Sequence, residues 1–98
     1  MLIRHAAVDR RARANELRDV ALAAGYVWKG AVFQIDTGSR SAIAARALKV
    51  FRNPEPVVWR TTANEDYPFS AEDFLLFADG VESYAESVMQ KCWKLKGD

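Results

Sequence analysis

Residues 18–40 read RDVALAAGYVWKGAVFQIDTGSR and pass from helix to hairpin to helix within one short run. The alanine-rich segment ends at Gly25, where a left-handed residue can stop a helix because glycine has no Cβ to clash. Tyr26-Val27-Trp28 and Ala31-Val32-Phe33-Gln34-Ile35 alternate about Lys29-Gly30, the pattern of two antiparallel strands around a two-residue turn. That turn sets Trp28 opposite Ala31, Val27 opposite Val32 and Tyr26 opposite Phe33. Tyr26, Trp28, Ala31, Phe33 and Ile35 then share one aromatic face directed at the core, and Val27, Val32 and Gln34 share the other. Lys29 is a less favourable first turn residue than Asn or Asp. Asp36 or Thr37 follows as a cap for the free N–H groups of the next helix.

Upstream, the spacing predicts a first helix from about Arg4 to Ala24. Leu17, Val20, Ala21 and Ala24 form its apolar face, extended by Ile3, Ala7 and Ala14 and interrupted by Arg10. Downstream, Ile43, Ala47, Val50 and Phe51 mark the buried stripe of a second helix over 39–52, with Ala44 beside it, while Arg40, Arg46 and Lys49 point elsewhere. Asn53-Pro54-Glu55-Pro56 ends that helix, since proline restricts the residue before it and cannot continue the turn. Val57–Thr62 is rich in strand formers, Ala63–Asp66 is turn-like, and Tyr67-Pro68-Phe69 is a return strand that Pro68 confines to an edge. Ser70-Ala71-Glu72-Asp73 is a capping-box variant ahead of a long apolar pattern. Phe74, Val81, Val88 and Leu95 recur at seven-residue spacing in the last helix, flanked by Phe77 and Tyr84 on one side and Ala78, Ala85 and Cys92 on the other. Gly80 reads as a weak point, costing about 1 kcal/mol against alanine. The expected fold is α+β, three helices packed on two short antiparallel β-hairpins in the order α-ββ-α-ββ-α.

At 98 residues the chain is one domain, half hydrophobic and 28% charged, outside the disordered class. Its net charge of +1 conceals an asymmetry: residues 1–52 carry ten Arg or Lys against four Asp or Glu, hence +6, and residues 53–98 carry four against nine, hence −5. The halves can attract each other within one chain or between chains; the simpler expectation is that folding neutralises them. Cys92 stands alone, so no disulfide framework or thiolate metal cluster arises from this chain, and a reducing cytoplasm is compatible. Met1-Leu2-Ile3 runs straight into Arg4 with no apolar stretch of signal length, and no apolar run approaches the ~20 residues that span a bilayer. A membrane role is not expected.

No constellation for chemistry stands out. Nucleophilic catalysis needs a nucleophile beside a base that a third group orients. The single histidine, His5, lies near a terminus beside Arg4, and Cys92 sits on the apolar side of the last helix, where an inert buried thiol is the common outcome. Glu82 and Glu86 lie one helical turn apart, yet solvated surface acids are far commoner than metal ligands and no loop of alternating Asp or Asn exists. The five glycines are scattered, and Gly38-Ser39-Arg40 lacks the rest of a phosphate loop. Hence no enzyme, no cofactor, no metal and no catalytic residue is expected. Arg4, Arg10, Arg11, Arg13 and Arg18 crowd the first helix, but Asp9, Glu16 and Asp19 interleave with them, which disfavours nucleic acid; Arg10, Arg13 and Arg18 could instead answer the acidic last helix. Trp28 and Trp59 are expected as core anchors. Trp93, flanked by Lys91, Lys94 and Lys96, is the candidate contact residue for another chain, together with Arg10, Arg11 and Arg13.

Residues 17–97 resemble an uncharacterised domain family of tailed bacteriophages and prophages, whose members often form the C-terminal part of tail or tail-fibre-associated proteins. The resemblance lies in Arg18-Asp19 with Ala21, Ala23, Ala24 and Gly25, in a hairpin holding Gly30 and Phe33-Gln34, in Asp36 with Ser39-Arg40 and an alanine-rich helix, and in Trp59 before a hairpin and a long last helix. The Asn-Pro-Glu-Pro linker and the less alanine-like Phe51-Arg52 depart from it. Residues 1–16 then read as a basic N-terminal helix extension and 17–97 as the family-like core, with Gly25, Trp28, Gly30, Phe33, Asp36 and Trp59 in structural roles. A free-standing gene product and a fragment of a longer tail protein both fit. The resemblance implies a structural or protein-interaction module that contacts other tail or virion proteins, located in the virion or in the bacterial host cytoplasm during assembly. A homodimer through the 71–96 helix is a further expectation. The alternative is a small regulatory protein that binds DNA or a host protein through the arginine-rich first helix.

Overall fold

The computed structural model describes the backbone of residues 2–97 and the side chains of residues 9–97, so His5 and the expected apolar contributions of Ile3 and Ala7 lie outside the described side chains. Helix α1 (Leu2–Ala23) leads into strands β1 (Tyr26–Trp28) and β2 (Ala31–Phe33), helix α2 (Thr37–Arg52), strands β3 (Val57–Arg60) and β4 (Asp66–Phe69), and helix α3 (Ala71–Lys96). The strands form two separate antiparallel hairpins, giving the α+β order read from the sequence.

The first hairpin follows the expected register, with Tyr26 opposite Phe33, Val27 opposite Val32 and Trp28 opposite Ala31. Lys29 and Gly30 both adopt positive φ, +47° and +85°, as the tight turn that matches strand twist requires. The lysine ammonium lies 3.4 Å from the Asp73 carboxylate and 5.4 Å from the Trp28 ring centre, contacts that asparagine would lack. Strand β2 stops at Phe33, two residues short of the expected end, although Ile35 remains buried. In the second hairpin Val57 faces Phe69 and Trp59 faces Tyr67, while Val58 and Pro68 point outward. Asp66 belongs to β4 rather than to the turn, paired with Arg60 in the ladder, and across the hairpin mouth the Arg60 guanidinium donates to its carboxylate (3.1 Å) and to the Asn64 side-chain oxygen (2.9 Å). One backbone bond, Thr62 N–H to the Val32 carbonyl at 2.8 Å, ties the two hairpins together.

The inward faces of both hairpins meet α3. Phe33, Ile35, Ile43, Val50, Val57, Phe69, Phe74, Phe77 and Val81 form one buried cluster, with Trp28 and Trp59 packed against it. Both helices have the caps that the sequence suggests: the Asp36 carboxylate accepts from Ser39 N–H at 2.7 Å, and the Ser70 hydroxyl accepts from Asp73 N–H at 3.1 Å. Helix α1 runs without a break through residue 16 and lies antiparallel on α3, with Asn15 beside Cys92 and Tyr26, just past its end, against Gly80.

Three expected faces differ from those observed. Val20 (62% exposed) faces solvent and Leu17 (50%) is half exposed at the edge of the α1–α3 contact, which α1 makes around Ala14, Asn15, Arg18 and Ala21, while Leu22 packs against the core cluster. Two helices approach closely only where one of them is small, so the alanines take the contact and the larger residues are displaced. In α2 the buried stripe is Ile43, Ala47 and Val50; Phe51 is 74% exposed and Ala44 faces out. In α3 the seven-residue stripe holds at Phe74, Val81 and Val88 but not at Leu95, which is 46% exposed at the rim of the α1–α3 cleft that Leu17 also borders.

Two glycines carry constraints of different kinds. At Gly25 (φ +84°) an added Cβ would sit 2.7 Å from the Phe33 carbonyl oxygen, whereas at Gly30 (φ +85°) it would meet nothing within 4 Å. Gly30→Ala is therefore expected to cost about 1–2 kcal/mol, the left-handed strain alone, and Gly25→Ala at least twice that, in urea unfolding. Gly80 is not a mere weak point, since a Cβ there would collide with the Tyr26 hydroxyl held between Phe77 and Tyr84. Gly80→Ala should destabilise despite a propensity gain of about 1 kcal/mol, and the loss should shrink in a Tyr26→Phe background; an additive double mutant would refute the contact. Asp36 is held below its ordinary carboxylate pKa chiefly by the Ser39 N–H bond. Its contribution is thus complete above the ordinary carboxylate range and is lost as pH falls through the depressed folded value. Asp36→Ala should lower the thermal midpoint at pH 7 and lose this component of the acid dependence, while Asp36→Asn keeps the cap and loses only the pH term.

Candidate docking surface

The side chains with potential for recognition divide between two surfaces. Arg10, Arg11 and Arg13 are exposed on α1. The Arg10 guanidinium approaches Gly97, with Nη2 3.2 Å from where a Cβ would stand, and so lies at the carbonyl end of α3 among Lys94 and Lys96. Arg18 pairs with its neighbour Asp19 at 2.9 Å. The expectation that Arg10, Arg13 and Arg18 answer the acids of the last helix is therefore not met: among the described residues no ion pair joins α1 to α3. The reason is the alanine contact, which brings α1 against the face of α3 that carries Tyr84, Val88 and Cys92 rather than its acidic face.

Trp93 lies on the other surface. It is 49% exposed and lines a groove of about 940 Å³ between α2 and α3. The α2 wall presents Thr37, Ser41, Ala44, Leu48 and Phe51, and the α3 wall Leu75, Asp79, Glu82, Glu86, Met89 and Trp93. Each series steps by three and four residues, so each is one stripe of its helix. Ala47, Ala78 and Ala85 lie deeper, and their small side chains leave the trough between the ridges open. Arg40 stands in the α2 wall, donating to the Thr37 hydroxyl at 3.4 Å, with its Nε buried and without a hydrogen-bond partner among the described residues. Among the described residues Asp79 and Glu82 on the opposite wall enter no ion pair, and Glu86 accepts from Gln90 at 3.4 Å.

Leu48, Phe51 and Met89 escape a sequence reading that takes helical periodicity as a mark of burial. The signal was present as a second stripe on α3, one position round from the core stripe, facing an alanine-rich helix. Elsewhere the described residues show little that is chemically activated. The Cys92 thiol is buried and donates to the Asn15 side-chain oxygen at 3.8 Å. Among the described residues no group of three His, Cys, Asp or Glu is placed to hold a metal ion, and no helix is long and apolar enough to cross a membrane. Gly25, Gly30 and Asp36 act in turns and caps, while Trp28, Phe33 and Trp59 pack in or against the core; the Trp28 indole Nε1 is buried there without a hydrogen-bond partner.

No curated protein and no solved structure matches the chain. A family model does, over residues 5–98, which takes in nearly the whole of α1 with the hairpins and the two later helices. On the breadth of that match the chain belongs to the family described as domain of unknown function DUF4376.

Proposed function

We propose that this chain is a non-enzymatic protein-interaction module of a phage or prophage tail protein, and that the groove between α2 and α3 is its docking face. The tail context is what the resemblance of residues 17–97 implies, and it places the protein in the virion or in the host cytoplasm during assembly. The observation that carries the docking assignment is the convergence of Leu48, Phe51 and Trp93 on one open groove, all three about half exposed or more. Scattered exposed apolar residues are ordinary, but large ones gathered along a concave surface mark a contact site. Aromatic side chains there are the usual anchors of such contacts, and the acidic wall supplies orientation.

The test is particle incorporation. Phe51→Ala combined with Trp93→Ala should reduce the copies recovered in purified particles by about thirtyfold or more, the effect of losing roughly 2 kcal/mol at an anchor. Both residues are exposed, so the circular dichroism spectrum should be unchanged. Undiminished incorporation of a folded double variant would overturn the assignment. The alternative, DNA binding through Arg10, Arg11 and Arg13, requires retention on duplex DNA that falls steeply with salt. Here the wild-type chain should show none at low ionic strength.

A further inference from the structure

We infer that the groove between α2 and α3 receives an amphipathic helix of another protein, one that carries lysine or arginine along the flank it turns to α3. The inference rests on the reading of that groove as a docking face and names the chemistry of its occupant. The form of the occupant follows from the walls. Both are side-chain ridges of helices whose backbone groups are paired within each helix. An extended segment would lay its own N–H and C=O groups over the alanine floor with no free backbone to bond. A helix satisfies those groups internally and brings only side chains. The small residues Ala47, Ala78 and Ala85 leave room for its ridge to enter the trough. From Leu75 to Trp93 the α3 wall runs about 27 Å at the helical rise, room for about five turns of a partner.

Charge selects the sequence of that helix. Along the groove-facing stripe of α3, Asp79, Glu82 and Glu86 follow one another between Leu75 on one side and Met89 and Trp93 on the other. All three acids are exposed, and none enters an ion pair among the described residues. Arg40, in the α2 wall, is the one cation among the lining residues, so the lining carries three acids against one arginine, net −2, with the acids confined to α3. A docked helix therefore meets Leu48 and Phe51 along one flank and carboxylates along the other. Seating it removes water from those carboxylates, which costs free energy unless cations arrive with it. Basic residues at matching spacing, beside an apolar stripe, supply them. The same wall repels phosphate and so disfavours nucleic acid and anionic lipid surfaces. Helix α1 of a second copy does not fit, because the exposed Asp9 and Glu16 share the face that carries Arg13 and Val20.

Calorimetric titration of the full chain with two synthetic helical peptides of about five turns tests this. Both carry a leucine stripe in an alanine background; one has lysine along one flank of that stripe, the other glutamate in the same places. The lysine peptide should bind in the micromolar range, and the glutamate peptide at least about tenfold more weakly. Glu82→Lys with Glu86→Lys should reverse that preference, and Phe51→Ala with Trp93→Ala should weaken the lysine peptide about thirtyfold. All four positions are exposed, so the variants should keep the wild-type circular dichroism spectrum. A lysine peptide that fails to bind by about 1 mM overturns the inference, as does equal binding of the two peptides or a preference unchanged in the double lysine variant. A wild type that dimerises in sedimentation velocity, and that Phe51→Ala with Trp93→Ala returns to monomer, also overturns it, since a second copy then fills the groove. The docking face itself survives any of these results if Phe51→Ala with Trp93→Ala still lowers incorporation into particles, so the two readings fail separately.

Discussion

Phe77 sits where five other aromatic rings meet. Tyr26, Trp28 and Phe33 reach it from the first hairpin, Phe69 from the second and Phe74 from its own helix, with centroid separations from 4.8 Å for Phe33 to 5.9 Å for Tyr26 and Trp28. Hairpins of three and four residues per strand do not hold in water by themselves. Here they hold because each delivers its inward rings to the same turn of α3. Aromatic pairs contribute about 0.5–1.5 kcal/mol each beyond area burial, and truncating a fully buried phenylalanine costs about 3–5 kcal/mol, so much of a small domain's margin is concentrated at this one side chain. The turn chemistry follows from it. A one-residue slip of the first hairpin would send Phe33 outward and empty the cluster, and the positive φ at Lys29 and Gly30 prevents that slip.

The same convergence determines what remains available for recognition. Helix α3 gives Phe74, Phe77 and Val81 to the hairpins and α2, and Val88 and Cys92 to α1. Its third side, from Leu75 to Trp93, is covered by neither. Alanines at 47, 78 and 85 let α2 contribute Ile43 and Val50 to the core while leaving a trough above the contact. A larger residue at those positions would fill the trough, so the groove arises from the choice of small side chains rather than from a missing element.

The hairpins were legible because alternation and a two-residue loop admit one register, and the residues that define it lie within eight positions of one another. Helix faces were less so. A stripe at 3.6-residue spacing announces an amphipathic helix but not which neighbour it meets. Leu17, Val20, Phe51 and Leu95 all satisfied the period and all stayed at the surface. The face of α1 that does pack includes Asn15 and Arg18, which look polar in sequence and are tolerated because Ala14 and Ala21 set the approach. Gly80 shows the same limit, since its meaning depends on a tyrosine 54 positions earlier. The groove was hidden for that reason too: it is a relation between two helices that no local pattern encodes.

Charge gives the last connection between fold and surface. Of the four ion pairs among the described residues, Arg18–Asp19 and Arg60–Asp66 lie within one half of the chain, and only Lys29–Asp73 and Arg46–Glu55 join the basic half to the acidic one. All four are at least partly exposed, and such pairs are worth little to stability. Folding therefore leaves most of the +6 and −5 in place: α1 carries +2 and α2 +4, while α3 carries five acids against three lysines, −2, and the rest of the negative charge belongs to residues 53–70, at −2, and to Asp98. In water that separation stabilises little, because solvent screens it within about 10 Å. Across a contact from which water is excluded it becomes directional, opposing like surfaces and orienting unlike ones. Asp79, Glu82 and Glu86, which line the groove between α2 and α3, are the part of the imbalance that any molecule seated there would meet.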